Sequence, residues 1–182
     1  MSLFSQLKTV QGQQWLVVDK VRVPDIEKLA YLYIPNVEVV QLFKGTPFEH
    51  LNEIGPVAIK YTAVKEFEAL LQKNSDIRTS CVLFSVGDNH EEESLIQHFQ
   101  ALHYVIIDDA PLFFRFYAEP TWEIVESNIS DEDVNTILGP FDALSWIDSN
   151  LIVKSIKRKE NNINKKIKLP YKLTSNFGKE LI

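Results

Sequence analysis

Glycine, proline and helix-capping residues end the apolar segments of this chain at three places. These turn-rich segments constrain the fold more than any other feature of the sequence. The three segments are LFKGTPFEHLNEIGP at 42–56, LFFRFYAEP at 112–120 and LGP at 138–140. Each stops an apolar run at residues that favour a turn or the start of a helix. The chain is therefore expected to consist of short strands and helices joined by tight turns.

The first segment predicts a strand, a short capped helix and a second strand. Phe43 ends an apolar run and Gly45 turns the chain. Thr46 suits the N-cap, and Glu49 stands three residues later, where a capping box places its carboxylate. Gly55 is expected to end the helix in a left-handed conformation, and Pro56 prevents the helix from continuing.

Hydrophobic periodicity outlines the rest of the fold. Period-2 or continuous apolar runs predict strands, and i, i+3, i+4 spacing predicts amphipathic helices. Asp108-Asp109-Ala110-Pro111 separates two apolar runs and predicts a hairpin. The expected strands are 14–18, 37–43, 57–61, 81–86, 103–107, 112–117, 143–147 and 151–156, and the expected helices begin near 25, 46, 62, 88, 120 and 130.

These elements define an α/β (α+β) fold class. We expect a mixed β-sheet with flanking amphipathic helices. Strands and helices alternate in the N-terminal half, and a hairpin and a smaller helical lobe follow in the C-terminal half. With 182 residues and 45% hydrophobic content, the chain can bury one sizeable core. We assign residues 1–150 to an α/β domain and 151–182 to a basic extension.

The single cysteine and the N-terminal sequence indicate a cytoplasmic protein. Cys81 lies in an apolar run, which suggests a buried thiol in a reducing compartment. The first residues lack the basic start and the apolar core of a signal peptide. No apolar run approaches the roughly 18 residues that span a bilayer.

Charge divides the chain into an acidic body and a basic tail. Residues 1–150 carry 10 basic and 23 acidic residues, a net charge of −13, whereas 151–182 carry 9 basic and 2 acidic residues, a net charge of +7. Apolar residues interrupt the tail, which favours docking on the body or on a partner. Nucleic acid is disfavoured because the acidic body would repel phosphates. The candidate partner-binding residues are Lys157, Arg158, Lys159, Lys165, Lys166 and Lys168. Beyond about residue 157 we expect a mobile or partner-ordered segment, preceded by a last strand.

The common catalytic and cofactor motifs are absent from the sequence. There is no GxGxxG, GxxxxGK[ST], GxSxG, HExxH or CxxC, and the four histidines lack a compact metal-ligand spacing. We therefore assign no catalytic, cofactor or metal-binding residue. Arg115 lies in an apolar run, where burial would demand a carboxylate or carbonyl partner; a structural ion pair is the favoured interpretation. The three tryptophans are expected in the core.

Together, the three segments resemble the type VI secretion effector adaptor or chaperone family (Tap/TEC-type) that is associated with the spike protein VgrG. The resemblance covers roughly residues 14–150. The residues that match the family pattern are Phe43, Gly45, Thr46, Gly55, Pro56, Arg115, Phe116, Tyr117, Pro120, Gly139 and Pro140. The chain departs from the pattern at Ala118-Glu119, where a single Asp is usual, so Glu119 is the nearest acid to that place.

This resemblance implies a non-enzymatic function. Proteins similar to this one hold a cognate toxic effector in the producing cell, contact its N-terminal region and help to load it onto the VgrG spike. No cofactor is implied. The alternative is a small hydrolase-like enzyme whose site residues converge only in the folded protein. Such an enzyme would require a deep polar pocket with perturbed titratable groups.

Overall fold

The structure is a computed structural model that describes residues 12–87, 89–158 and 168–181. Its strands are β1 (Gly12–Val18), β2 (Val39–Gln41), β3 (Val57–Lys60), β4 (Cys81–Gly87), β5 (Tyr104–Ile107), β6 (Ala110–Phe113), β7 (Ala143–Ile147), β8 (Val153–Lys157) and β9 (Tyr171–Lys172). Its α-helices are α1 (Ile26–Tyr33), α2 (Lys65–Lys73), α3 (Ser75–Arg78), α4 (Glu92–Leu102), α5 (Glu119–Val125), α6 (Asp131–Leu138) and α7 (Ser175–Leu181). The predicted α+β class is confirmed.

A six-stranded sheet in the order β2-β3-β1-β4-β7-β8 forms the centre of the fold. Every neighbouring pair in it is antiparallel. Successive side chains point to opposite faces of a strand, so residues of β1 alternate between two cores. Trp15 and Val17 enter one core, while Leu16 and Val18 enter the other. The continuous apolar runs in the sequence reflect this burial on both faces.

Helices cover each face of the sheet. One face packs under α1, α2 and α3 through Ile26, Phe67 and Ile77. The other face packs against α4, α5 and α6, which supply Phe99, Trp122 and Ile137. All three tryptophans are buried in this second core, at Trp15, Trp122 and Trp146, which confirms their expected place.

A second sheet of three strands lies beside the second core in the order β6-β5-β9. The predicted hairpin is confirmed, since β5 and β6 pair antiparallel around Asp108 and Asp109. Both residues have positive φ, 51° and 59°, as a type I′ turn requires. Strand β9 adds parallel to β5, so the mixed pairing lies in this small sheet.

The second segment leaves the sheet earlier than predicted. Strand β6 ends at Phe113, although the apolar run suggested a strand to Tyr117. Phe114, Phe116 and Tyr117 are instead buried in the core next to α5, and the Trp122 indole donates a hydrogen bond to the Phe116 carbonyl at 2.8 Å. The chain therefore leaves the small sheet after Phe113 and packs these side chains into the core.

The helix of the first segment is shorter and differently capped than predicted. It is a single 3-10 turn, Glu49–Leu51. The Thr46 hydroxyl accepts from the Phe48 N–H at 3.1 Å, and the Glu49 carboxylate accepts from the Gly45 N–H at 3.2 Å. In a capping box the donors to these two side chains would be the N–H groups of Glu49 and Thr46. Here each donor is the residue before, Phe48 and Gly45. Strand β2 is likewise shorter than the predicted 37–43.

Gly55 is required for space and not for a left-handed backbone. Its φ is not positive, in contrast to Gly45 at 73° and Gly139 at 54°. A Cβ at Gly55 would overlap the ring of Phe43. The glycine therefore allows the phenylalanine to pack against the backbone that leads into Pro56.

The C-terminal extension completes both sheets. Strand β8 pairs antiparallel with β7, which confirms the predicted last strand. Residues 168–181 form β9 and α7, whereas the sequence predicts a mobile or partner-ordered segment beyond about residue 157. This stretch is ordered because its apolar side chains enter the core: Tyr171, Leu173 and Phe177. In the part of the chain described here, no helix has the length and apolar character needed to cross a bilayer.

Candidate partner-binding surface

An aromatic cluster joins the first and second segments. The ring of Phe113, at the end of β6, lies 6.1 Å from that of Phe43 and 5.2 Å from that of Phe48, both edge-on. His103, at the end of α4, contacts Phe43 edge-on at 5.0 Å. Offset and edge-on ring pairs contribute about 0.5–1.5 kcal/mol each beyond their buried area. The cluster fixes the turn that contains Gly45 and Thr46 against the small sheet.

Helix α4 also holds this turn from the other side. The Gln100 side chain donates a hydrogen bond to the Lys44 carbonyl at 2.9 Å. Gly45 has a φ of 73°, and a Cβ there would meet no atom within 4 Å. The turn is thus anchored through the aromatic rings on one side and through Gln100 on the other, while Gly45 itself stays open to the surface.

A largely apolar groove of about 680 Å³ lies beside the anchored turn. Its walls come from the turn, the end of α4, the start of β5 and the chain just before β9. The lining residues are Gly45, Thr46, Pro47, Phe48, Gln100, Ala101, Tyr104, Leu169 and Pro170. Tyr104 is 45% exposed and Leu169 is 66% exposed, so apolar surface remains open to solvent.

Arg115 makes the ion pair that the sequence predicted. The buried member of the pair is the carboxylate of its partner, Asp19, and not the arginine. The guanidinium contacts Asp19 at the end of β1; the Arg115 side chain is 52% exposed and that of Asp19 only 3%. Arg115 also lies over the Tyr117 ring, 5.9 Å from its centroid. Burial, together with the charge of Asp19, raises the pKa of Tyr117 to about 12. The pair ties the second segment to the central sheet.

Glu119, which stands near the family's usual Asp, is a buried carboxylate at the first residue of α5. Pro120 follows it within the first turn of this helix, where a missing N–H costs nothing. Burial and the nearby carboxylates of Glu123 and Asp148 raise the pKa of Glu119. The carboxylate lies outside the lining of the groove.

The third segment is packed against a buried histidine. Gly139 has a φ of 54°, and a Cβ there would overlap the ring of His98. The Nε2 of His98 donates to the Ile137 carbonyl at 2.8 Å, and its Nδ1 accepts from the Tyr171 hydroxyl at 2.8 Å. Burial lowers the pKa of His98 to about 4, so the ring is neutral at pH 7. Pro140 follows the glycine in this turn.

The basic residues of the tail divide into two groups. Arg158 is engaged within the chain: its guanidinium donates to the carbonyls of Gly139 and Phe141. It therefore holds the third segment within the chain, and its role in partner binding stays a prediction. Lys157 and Lys168 are exposed, and their role in partner binding stays a prediction. Lys159, Lys165 and Lys166 lie outside the described residues.

None of the described titratable groups with a lowered or raised pKa is among the residues that line the groove. Burial raises the pKa of the Cys81 thiol to about 12 and lowers that of His103 to about 4. Neither residue lines the groove. Within residues 12–87, 89–158 and 168–181, no group of three or more His, Cys, Asp or Glu side chains is arranged to hold a metal ion. The groove offers apolar contact and a few hydrogen-bonding groups.

The region that contains the first two segments also decides the family. The family model described as a domain of unknown function, DUF4123, matches residues 14–135. This chain belongs to the DUF4123 family. The match begins in β1 and ends within α6, so the third segment, β7 and the basic extension of this DUF4123 chain follow it. No curated protein and no solved structure matches the chain.

The sequence of this DUF4123 chain predicts one wall of the groove, the turn that contains Gly45 and Thr46. It does not predict the other walls, because their proximity depends on how α4, β5 and the tail meet. The residues of those walls are Gln100, Ala101, Tyr104, Leu169 and Pro170. The one available signal was Tyr104, an aromatic residue next to the buried His103 at the start of a strand.

Proposed function

We propose that this protein is an adaptor that binds a cognate type VI secretion effector and helps to load it onto the VgrG spike. Two findings support the proposal. The chain is a DUF4123 member, and its three segments resemble those of the effector adaptor family. The proposed adaptor acts in the cytoplasm through protein contacts and without catalysis.

The exposed apolar groove is the observation that carries the proposal. Apolar surface that stays open in a folded domain commonly marks a binding site for another molecule. Here the groove borders the Gly45 turn, which is part of the family pattern, and the aromatic cluster holds this turn in place. We assign the groove to an apolar segment in the N-terminal region of the effector.

The lining of the groove favours an adaptor over the alternative, a hydrolase-like enzyme. A hydrolytic site would need a nucleophile or a base with a perturbed pKa near the substrate. Among the residues that the structure describes, those that line the groove include no histidine, cysteine or carboxylate. An apolar groove of this composition instead suits side chains such as Leu, Met or Phe, which gain by leaving water.

Co-expression with candidate partners tests the proposal. The chain would be produced with the effectors and the VgrG proteins encoded by adjacent genes, and the mass of each intact complex would be measured. A complex that buries about 1,600 Å² in total is expected to survive purification. If folded protein at micromolar concentration captures neither an effector nor VgrG, the adaptor assignment is wrong.

Two groove variants locate the contact. Tyr104→Lys and Leu169→Glu place a charge in the apolar lining at side chains that are already exposed, so the fold should persist. Each should weaken effector binding by about tenfold or more, since charge in an apolar interface is costly to desolvate. Ile124→Glu is the matched control, because Ile124 is 51% exposed on α5 and outside the groove. Equal loss in all three variants would place the contact elsewhere.

The basic tail contributes a second, electrostatic element to the proposal. Lys168 is exposed and directly precedes the groove residue Leu169. An acidic flank on the effector segment would be attracted to it, and such attraction weakens as salt rises. Lys168→Glu should therefore reduce binding at low salt and have little effect at high salt. A reduction that is independent of salt would exclude this electrostatic role.

A further inference from the structure

Four strand edges end the two sheets, and three of them are blocked by their own sequences. Strand β6 carries Pro111 at a position that faces away from β5, which removes an outward N–H. Strand β2 has only three residues, and the outward Gln41 carbonyl already accepts from the Lys44 N–H. Strand β9 has two residues. These are the usual devices that prevent a sheet from adding a further strand.

Strand β8 has none of these devices. Its pairing with β7 uses alternate residues: Arg158 N–H donates to Asp142, and the Ile152 carbonyl accepts from Asp148 N–H. In an antiparallel ladder, backbone groups of alternate residues point to opposite sides. Val153, Ser155 and Lys157 therefore direct their N–H and C=O groups outward, and no residue in the described part of the chain bonds to them.

Lysine side chains usually protect such an edge, but one of the two here is held elsewhere. The ammonium of Lys154 lies 2.9 Å from the Glu123 carboxylate and 3.1 Å from that of Glu126, both at α5. It is drawn onto one face of the sheet and away from the edge. Lys157 is exposed, so any strand that pairs with β8 must accommodate this one charge.

From this edge we infer that two copies of the chain associate through their β8 strands, antiparallel and related by a twofold axis at Ser155. Ser155 then faces itself, and Val153 faces Lys157 of the second copy. Each facing pair exchanges two backbone hydrogen bonds. The two central sheets become one continuous sheet, and the interface is isologous.

The charges select this register over its neighbours. With the axis at Ser155, Lys154 stands opposite Ile156 and Lys157 opposite Val153. An axis at Lys154 would place the two Lys154 residues opposite each other, and an axis at Ile156 would place Lys154 opposite Arg158. Like charges that face each other across strands are destabilising. Of these three registers, the proposed one is that in which no like charges face each other. The inferred dimer does not depend on the adaptor function.

Sedimentation of the full chain tests the dimer directly. The monomer mass is 21.0 kDa, and the expected species at about 100 μM has twice this mass. Ser155→Pro removes an outward N–H but no bond to β7, so it should weaken the dimer by about tenfold or more. Ser155→Ala keeps the N–H and should dimerise like the parent. A parent chain that stays monomeric at this concentration overturns the inference.

A cysteine at the axis provides a test that does not depend on the stability of the proline variant. The facing Cα atoms at Ser155 would lie about 5.5 Å apart, a separation that a disulfide can span. Ser155→Cys should therefore cross-link under mild oxidation, while the buried Cys81 stays unreacted. Val153→Cys lies on the same edge but faces Lys157, so it should not cross-link. Equal cross-linking by both variants, or by neither, contradicts the register.

Discussion

The Tyr171 hydroxyl donates a hydrogen bond to Nδ1 of His98 across 2.8 Å, and this bond ties β9 in the C-terminal extension to helix α4. His98 also donates to the Ile137 carbonyl, so one buried ring connects three parts of the chain. The third turn-rich segment, which contains Gly139, is packed against the same ring. The basic extension is therefore integrated into the fold through a polar contact as well as through its apolar side chains.

Loss of the tyrosine hydroxyl should destabilise the protein. Tyr171→Phe leaves a buried nitrogen of His98 without a donor, which typically costs about 1–3 kcal/mol. Tyr31→Phe is the matched control, since Tyr31 is 62% exposed and its change should be nearly neutral. Urea denaturation of both variants measures the free energies of unfolding. Equal stabilities would show that the Tyr171 bond contributes nothing.

The two glycines with positive φ should respond differently to alanine. Gly45→Ala adds a Cβ in open space, so only the left-handed backbone penalty of about 1–2 kcal/mol is expected. Gly139→Ala places a Cβ at φ 54° and ψ −113°, outside the regions allowed to residues other than glycine, and also forces the ring of His98 to move. Thermal unfolding should therefore show a clearly larger loss for Gly139→Ala. Equal losses would mean that neither the backbone conformation of Gly139 nor its contact with His98 adds a cost.

Stability should fall as the pH drops from 6.5 to 4. Burial lowers the pKa of His98 and that of His103 to about 4, whereas an unfolded histidine titrates near 6.5. Between these values the unfolded chain binds more protons than the folded chain, so acid favours unfolding. Each histidine should cost about 2 kcal/mol at pH 5 relative to pH 7.5.

Substitution of one histidine separates this effect from the titration of carboxylates. His98→Gln removes one titrating group, so the loss of unfolding free energy between pH 7.5 and pH 5 should shrink by about 2 kcal/mol. His50→Gln is the control, because His50 is exposed on the 3-10 turn. An unchanged pH dependence in His98→Gln would mean that this ring stays accessible to protons.

The ion pair between Asp19 and Arg115 should be coupled in a double-mutant cycle. Arg115→Leu leaves the buried Asp19 carboxylate without its cationic partner, and we expect a loss of about 1–3 kcal/mol; the half-exposed arginine limits the effect. In the parent chain, the Val21 N–H donates to Oδ1 of Asp19 at 3.0 Å. Asp19→Asn removes the negative charge and keeps an oxygen that can accept this bond. The double variant should lose less than the sum of the single losses. Strict additivity would show that the two residues act independently.

The turn-rich segments and the apolar periodicity were sufficient to predict the α+β class, the hairpin and the last strand. These features are local: Asp108-Asp109 can adopt positive φ, and alternating apolar residues mark a strand wherever it pairs. The ion pair of Arg115 followed from the cost of a charge in an apolar run, although its partner, Asp19, lies far away in sequence. Local sequence rules predicted that Arg115 requires an ion-pair partner, but they did not identify Asp19 as that partner.

Long-range packing decided what the sequence could not. Gly55 was assigned to a left-handed backbone, and only its contact with Phe43 showed that it is needed for space. The bonds of Arg158 to the Gly139 and Phe141 carbonyls depend on long-range packing, and the sequence of the tail does not predict them. The groove and the free edge of β8 likewise depend on which strands become neighbours. The sequence by itself determined most of the elements and their turns, because these depend on interactions between nearby residues. The tertiary structure decided that the last residues form β9 and α7, and it decided which surfaces remain open, because both depend on contacts between distant residues.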